Sequence, residues 1–475
     1  MPPAIATLIF VLGILGLFVL DRDDQPRASK ALWIPIAWLL IAGSRMVSQW
    51  LDVAPALNSP DQYLDGSPLD RLVLTGLFVI GIVVLLQRYR KVGTLLRTNG
   101  PILLYFFYCG VSILWSDYPE VAFKRWTKAL GDVVMVFVVL SDPYPSAALK
   151  RLIARTGFLL VPLSVLLIKY YPDLGRAYDA WVGTPVYIGV AMDKNLLGMV
   201  CLVWGVGFTW RFLQEFRDQK HARRIGRLIA HGSVLAAVLW LLIKSNSATS
   251  LACFLLAGGL LAVTSLPTQV RKPAIVHLFL GGVVVFVLFG ALYGADASIV
   301  EAMGRNLTLT GRTELWHRLI GMVVNPWFGT GFESFWLGQR LDALWSQYWW
   351  HPNQAHNGYL EVFLNLGWAG VASLAIVMVT GYRNVVRTFR SDPDAGRVRL
   401  GYFVVAVFYS LTEAAFRMMH PVWILFLLAV TDVPTVLCEK QNARRHAVKT
   451  TSAISLNSRP AWGRADVLGQ RNQID

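Results

Sequence analysis

Between Gly294 and Gly358 the sequence interleaves cationic and basic side chains with large aromatic rings. Arg305, Arg312, His317, Arg318, Arg340, His351 and His356 stand among Trp316, Trp327, Phe328, Phe332, Phe335, Trp336, Trp345, Tyr348, Trp349 and Trp350. Apolar ring faces stack on sugars, and a guanidinium fork matches phosphate oxygens in pairs. A segment offering both suits a sugar carried on a phosphorylated lipid, although each Trp taken singly also fits an aromatic belt at a membrane surface. An imidazole titrates at about pH 6.5, so a histidine here can take the proton of an attacking hydroxyl. His356 is set apart by its position: Asn357 and the start of an apolar run follow it, so a base and helix N-terminal N–H donors face one space. His317 and His351 read more simply as surface residues of the segment.

Other ionisable residues lie at the edges of apolar runs, where a charge is costly and usually meets a cavity or a partner. Lys194 is one, with Asp193 beside it to neutralise it, and Arg176 lies upstream. Glu413 and Arg417 are one helical turn apart, the spacing of a structural ion pair or of a carboxylate that orients His356 or an acceptor. Cys109, Cys201, Cys253 and Cys438 lack paired spacing or nearby His and read as small buried hydrophobes rather than disulfide or zinc ligands.

The elements that position these residues follow from composition. The chain has 475 residues, 55% of them hydrophobic and 15% charged, which places it in the membrane class. A helix needs roughly 20 apolar residues to cross the hydrocarbon core, and long unbroken runs select helices over barrels. Candidate spans are Pro3–Leu20, Leu32–Leu51, Leu72–Gln87, Pro101–Trp115, Ala129–Leu140, Leu152–Tyr170, Val186–Trp210, Leu228–Ile243, Leu251–Leu266, Ile275–Tyr293, Tyr359–Gly381, Gly401–Phe416 and Val422–Leu437. The expected fold is therefore an all-α integral membrane protein of about 12–13 transmembrane helices with one large outer loop. The first run has its basic residues behind it, at Arg22, Arg27 and Lys30, the reverse of a cleaved signal peptide.

The formal charge of +15 is a topology signal before it is a nucleic-acid signal. Basic clusters at Arg88–Arg97, Arg211–Arg227, Arg271–Lys272 and Arg383–Arg399, with the tail after Cys438, all fall on one side of the counted spans. That side is expected to be cytoplasmic, which puts the 294–358 loop outside. Three regions result: N-terminal transmembrane helices over 1–185, a second membrane region over 186–437 that includes the outer loop and that the resemblance described below makes catalytic, and a cytoplasmic tail over 438–475 without apolar periodicity, expected to be disordered. Nucleoside-triphosphate loops, dinucleotide fingerprints and paired zinc histidines have no counterpart in the sequence, and no nucleic-acid partner or cofactor is expected.

The ordered motifs resemble the O-antigen ligase and polysaccharide polymerase superfamily. The resemblance rests on GRTELWHRLIGMVVNPWFGTGFESFW from Gly311 to Trp336 and HPNQAHNGYLEVFLNLGWAG from His351 to Gly370. MDKNLLG from Met192 and SNSATSLACFLLAG from Ser245 add to it, and the Leu-Thr-Glu of Leu411–Glu413 resembles the exopolysaccharide-polymerase branch. It covers roughly Pro185 to Pro434, with a WSDYP element at Trp115–Pro119 in the first half. It implies a metal-independent, inverting glycosyl transfer at the periplasmic face of a bacterial inner membrane. The donor would be an undecaprenyl-pyrophosphate-linked oligosaccharide and the acceptor a hydroxyl of a glycan or lipid. A flippase and a chain-length regulator would be partners in the bilayer.

By position in those motifs, the resemblance makes Arg312 and His356 the catalytic pair. Lys194, Arg176, Arg318, Asn357 and Glu413 are the expected substrate-binding residues. Many relatives place a basic residue after the serine at Ser245; this chain does not, and Lys244 is the nearby substitute. Two other readings fit the composition: a ligase or protein oligosaccharyltransferase using the same donor, and a secondary transporter. Transporters keep polar sites near the midplane, often on repeated halves, whereas here polar residues concentrate in one loop and no repeat is visible.

Overall fold

A backbone in lipid must satisfy its own hydrogen bonds, and nearly every apolar run of this chain is a helix. The computed structural model describes residues 1–22, 28–54, 66–178, 183–218, 223–266, 281–282 and 309–433. The helices are α1 (Pro3–Leu20), α2 (Trp33–Ala42), α3 (Pro68–Gln87), α4 (Tyr89–Thr98), α5 (Gly100–Val111), α6 (Pro119–Leu140), α7 (Pro145–Tyr170), α8 (Lys194–Arg217), α9 (Arg224–Ser245), α10 (Ala248–Ser265), α11 (Leu309–Gly321), α12 (Gly338–Gln347), α13 (Gly358–Ser391), α14 (Pro393–Tyr409) and α15 (Pro421–Val430). A two-stranded antiparallel hairpin, β1 (Arg176–Tyr178) and β2 (Pro185–Tyr187), pairs Arg176 with Tyr187.

The chain is an all-α integral membrane protein. Among the described residues seven helices are long and apolar enough to cross a membrane: α1, α3, α7, α8, α9, α10 and α13. The bent pair α4–α5, turning through 86°, makes up to eight. The expected 12–13 crossings counted every apolar run as one. Several of those runs form helices shorter than a full crossing: α2 and α15 have 10 residues each. The run from Ala129 is the apolar end of the 22-residue α6, whose first half carries Lys124, Arg125 and Lys128. The run Gly401–Phe416 ends as helix at Tyr409. The expected span Ile275–Tyr293, apart from 281–282, and the tail 438–475 lie outside the described residues, as does the start of the outer loop up to 308.

Position in the bundle sorts the helices by composition. Only 6% of the apolar window of α1 is buried, against 78% of that of α8. Helix α8 packs on α7, α9, α10 and α14, and small residues let it do so: a Cβ on Gly205 would meet Phe254 at 2.8 Å, and one on Gly207 would meet Ile153 at 2.5 Å. Close backbone approach through small residues is how membrane helices gain packing where lipid is as apolar as Leu.

The helical path is interrupted at two further places, both toward the outer loop. Helix α13 contains Gly367 at φ +64, outside helical geometry. The loop segment 325–335 fills that break. Thr330 N donates to Leu364 O at 3.2 Å, Phe335 N to Asn365 Oδ1 at 3.0 Å, and Trp368 N and Ala369 N donate to Pro326 O and Trp327 O. The two chains cross at Gly329 (φ +68) and Gly367; a Cβ on either would stand about 2.5 Å from the other chain's backbone. Ser116 of the WSDYP element joins Ser334 at 2.7 Å, which ties the first half of the sequence to the same wedge. The second break is 410–420, between α14 and α15.

Candidate active site

Helix α11 brings the expected catalytic arginine to its place through a short periodicity. Leu315 and Leu319 are fully buried in a core with Phe335, Trp336, Leu341, Leu344, Ala355 and Leu364. Arg312 and Trp316, one turn apart, therefore share the face toward the membrane helices. Trp316 Nε1 donates to Ala355 O at 2.7 Å, and Arg312 Nη1 donates to Thr412 O at 3.0 Å. One helix thus clamps both the turn that holds His356 and the broken segment 410–420.

His356 sits in the left-handed region at φ +50, uncommon for a residue other than glycine and found at strained functional positions. Its neighbours hold it there. Glu361 accepts from Ala355 N and, at 2.9 Å, from Trp336 Nε1. Asn357 caps α13, its Oδ1 accepting from Tyr359 N and Leu360 N at 3.0 Å each. Gly358 N donates to Ser410 O at 2.8 Å, and Tyr359 OH to Val407 O at 3.0 Å. The imidazole Nδ1 then lies 3.2 Å from Glu413 Oε2, with the side chains 23% and 11% exposed. A carboxylate only accepts, so Nδ1–H donates to Glu413, and in the neutral ring the lone pair is then on Nε2.

The segment bearing Glu413 is fixed from beneath. Asp132, fully buried in α6, accepts from Trp38 Nε1 at 2.8 Å and from Met419 N at 3.0 Å. An ionisable residue in a membrane helix is costly, and here it anchors the irregular backbone between α14 and α15. From the side, Thr249 Oγ1 lies 3.0 Å from Thr412 Oγ1, so the Ser245–Ser250 segment also reaches the site. Asn246 makes that approach at φ +48, the left-handed C-cap of α9.

Lys194 opens α8 directly after its N-cap, Asp193, whose Oδ1 accepts from Asn195 N and Leu196 N. Packing around Asp193 raises its carboxyl above the ordinary range although the side chain reaches the surface; those two amides oppose the rise, Glu413 adds to it and His356 opposes it. The start of α8 therefore stands in the field of the His356–Glu413 pair.

The structure brings Arg312, His356 and Glu413 together, with Asp193 and Lys194 at the edge. It assigns the side chain of Asn357 to capping. Arg318 is exposed and turned from the buried face of α11 that Arg312 shares with Leu315 and Leu319. Arg176 lies on the hairpin, donating to Ile168 O at 3.0 Å with its guanidinium 5.8 Å from the Tyr187 ring centre. Lys244 approaches the same ring at 5.3 Å and so belongs with Arg176. Of the two readings of Glu413 and Arg417, the Glu413 carboxylate meets His356, and no ion pair joins it to Arg417 among the described residues. Thr412, Thr249 and Asp132 were not singled out from the sequence; Thr249 and Thr412 sit inside quoted motifs, while nothing local marks Asp132 among the apolar residues of α6. Among the described residues no three His, Cys, Asp or Glu side chains meet as a metal site requires.

Residues 232–375 match the family model described as O-antigen ligase, a range that contains Arg312 and His356 but neither Lys194 nor Glu413. The exopolysaccharide production protein ExoQ of Rhizobium meliloti (strain 1021) is 26% identical over 325 residues, covering 66% of this chain and 72% of that protein. These are similarities to the O-antigen ligase family and to an exopolysaccharide production protein, and with the seven apolar helices they accord with a multi-pass membrane protein.

Proposed function

We propose that this protein lengthens an exopolysaccharide or O-antigen chain by transferring an undecaprenyl-pyrophosphate-linked glycan to a hydroxyl of a second glycan, at the periplasmic face of a bacterial inner membrane. The observation that carries the reading is the imidazole of His356 on Glu413, with Arg312 anchored on the adjacent residue, Thr412.

In this reading the acceptor hydroxyl attacks the anomeric carbon of the donor from the face opposite the pyrophosphate. The new C–O bond forms as the C–O bond to pyrophosphate breaks, and the bonding pair leaves with the phosphate oxygen. The configuration inverts in this single displacement. His356 Nε2 takes the hydroxyl proton, and Glu413 holds the ring and stabilises the imidazolium that forms. Arg312 spends one N–H on a neutral carbonyl, so its charge is not cancelled there and can meet the departing pyrophosphate. Lys194 at the start of α8 is the second cation of the proposal. With two cations the step is metal-independent, and transfer should persist in excess EDTA; a rate that collapses with chelator and returns with Mg²⁺ would overturn this part.

The test of the whole is the size profile of surface and secreted polysaccharide in a strain lacking the protein, complemented with wild type or His356→Ala. Loss of long polymer with build-up of single lipid-linked repeats, restored by wild type alone, is the expected result. Polymer that forms but stays on its lipid carrier would make the protein a ligase, and an unchanged profile would sink the reading.

A further inference from the structure

A cavity of about 380 Å³ lies far from His356, beside the opposite half of α13. Its walls come from three places: the junction of α4 and α5 (Asn99, Ile102), the α13 face carrying Thr380, Arg383 and Arg387, and the end of α15 at Asp432. Its volume is in the range of roughly 300–1,000 Å³ usual for small-molecule sites.

The helix beside it marks the level of the membrane surface. Helix α4 places Val92, Leu95 and Leu96 on one side and Arg90, Lys91, Thr94 and Arg97 around the rest. It turns by 86° into α5, which is apolar. An amphipathic basic helix turned at right angles to an apolar one is the geometry expected of a segment lying in the headgroup plane. The cavity at their corner therefore stands where phosphates and the first acyl carbons of a lipid lie, with Ile102 and Val377 on its apolar wall.

Its charges leave one cation over. Asp432 is held by Arg387 at 3.0 Å, and its backbone is locked to Asn99 by Asp432 N donating to Asn99 Oδ1 at 2.7 Å and Asn99 Nδ2 donating to Asp432 O at 3.0 Å. Arg383, one turn before Arg387, is exposed and forms no ion pair or hydrogen bond among the described residues. A rigid polar floor, an apolar wall and an uncompensated guanidinium at headgroup depth complement a phosphodiester that carries net negative charge.

We propose that this cavity binds the headgroup of an anionic phospholipid from the adjacent leaflet, with Arg383 on the phosphate. The inference does not depend on the transfer reaction or on which leaflet this is. The full-length protein, purified in detergent and stripped of lipid, is titrated with phosphatidylglycerol or phosphatidylcholine of equal chain length, and retained lipid is counted by native mass spectrometry. Phosphatidylglycerol should be retained about 5-fold better, and Arg383→Gln should remove about that factor, the worth of one basic residue at an anionic surface. Arg90→Gln on exposed α4 should leave the preference in place. Thr380→Trp, which fills the cavity without touching charge, should lower retention as well. Equal retention of the two lipids, full preference in Arg383→Gln, or an equal loss in Arg90→Gln would each overturn the site. Displacement by inorganic phosphate would overturn it too, by showing a site for a free anion.

Discussion

Two clusters of charged side chains in this protein use similar residues for opposite ends. Around the end of α1, Arg211 lies 3.3 Å from Asp21 and 3.7 Å from Glu215, Arg227 lies 3.3 Å from Glu215, and His231 lies 3.0 Å from Asp21. Each carboxylate has a cation and each guanidinium a carboxylate. Burial alone would raise the Asp21 carboxyl, but His231 and Arg211 beside it outweigh that and hold it below its ordinary value. Around His356 the balance is left open. Arg312 rests on a carbonyl rather than a carboxylate, and the carboxylate of Glu413 faces an imidazole whose other nitrogen is unspent. A cluster that neutralises itself stabilises helix packing; one that leaves a cation and a base over is poised for an anionic leaving group and a proton.

That contrast breaks most sharply at His356. Replacing it with Ala should slow transfer by roughly 10²–10⁴, the contribution of a general base, while the amount of protein in the membrane stays normal; glycan transfer by membranes with lipid-linked donor measures it. Arg312→Lys keeps the charge but loses the planar fork, and a fall of about 10-fold or more is expected in the same assay. Near-full activity in Arg312→Lys would remove the arginine from pyrophosphate. Glu413→Gln should cost less, about 10-fold, because the amide oxygen still accepts from Nδ1–H while the charge that stabilises imidazolium is gone. Glu215→Gln in the closed cluster should leave the rate per folded molecule unchanged. It should cost stability instead, about 3–5 kcal/mol for a broken buried pair, read as a lower unfolding temperature in detergent. A catalytic defect there without a stability defect would erase the distinction between the clusters.

Helix boundaries were legible in proportion to how much lipid a helix meets. The span read as Pro3–Leu20 is α1 residue for residue, because a peripheral helix is bounded by composition alone. The run read from Ala129 is helical from Pro119. Its first turns carry charges that composition rejects, but Arg125 donates to Glu333 O and Asp132 to α2 and 419 is fully bonded. The same holds for α13, whose break at Gly367 is invisible in an apolar run until the loop that fills it is in place.

From the sequence alone came the membrane class, because hydrophobicity is a property of residues taken one at a time, and the motifs, whose resemblance to a family singled out Arg312 and His356 with Glu413 as a further candidate. Only the tertiary structure decided that Arg312 meets Thr412, that His356 meets Glu413 rather than Arg417 taking that carboxylate, that Asn357 is a cap and that Arg176 lies with Lys244 on Tyr187. Those pairings join residues up to 100 positions apart. They depend on where two broken helices place their ends, which no local pattern encodes.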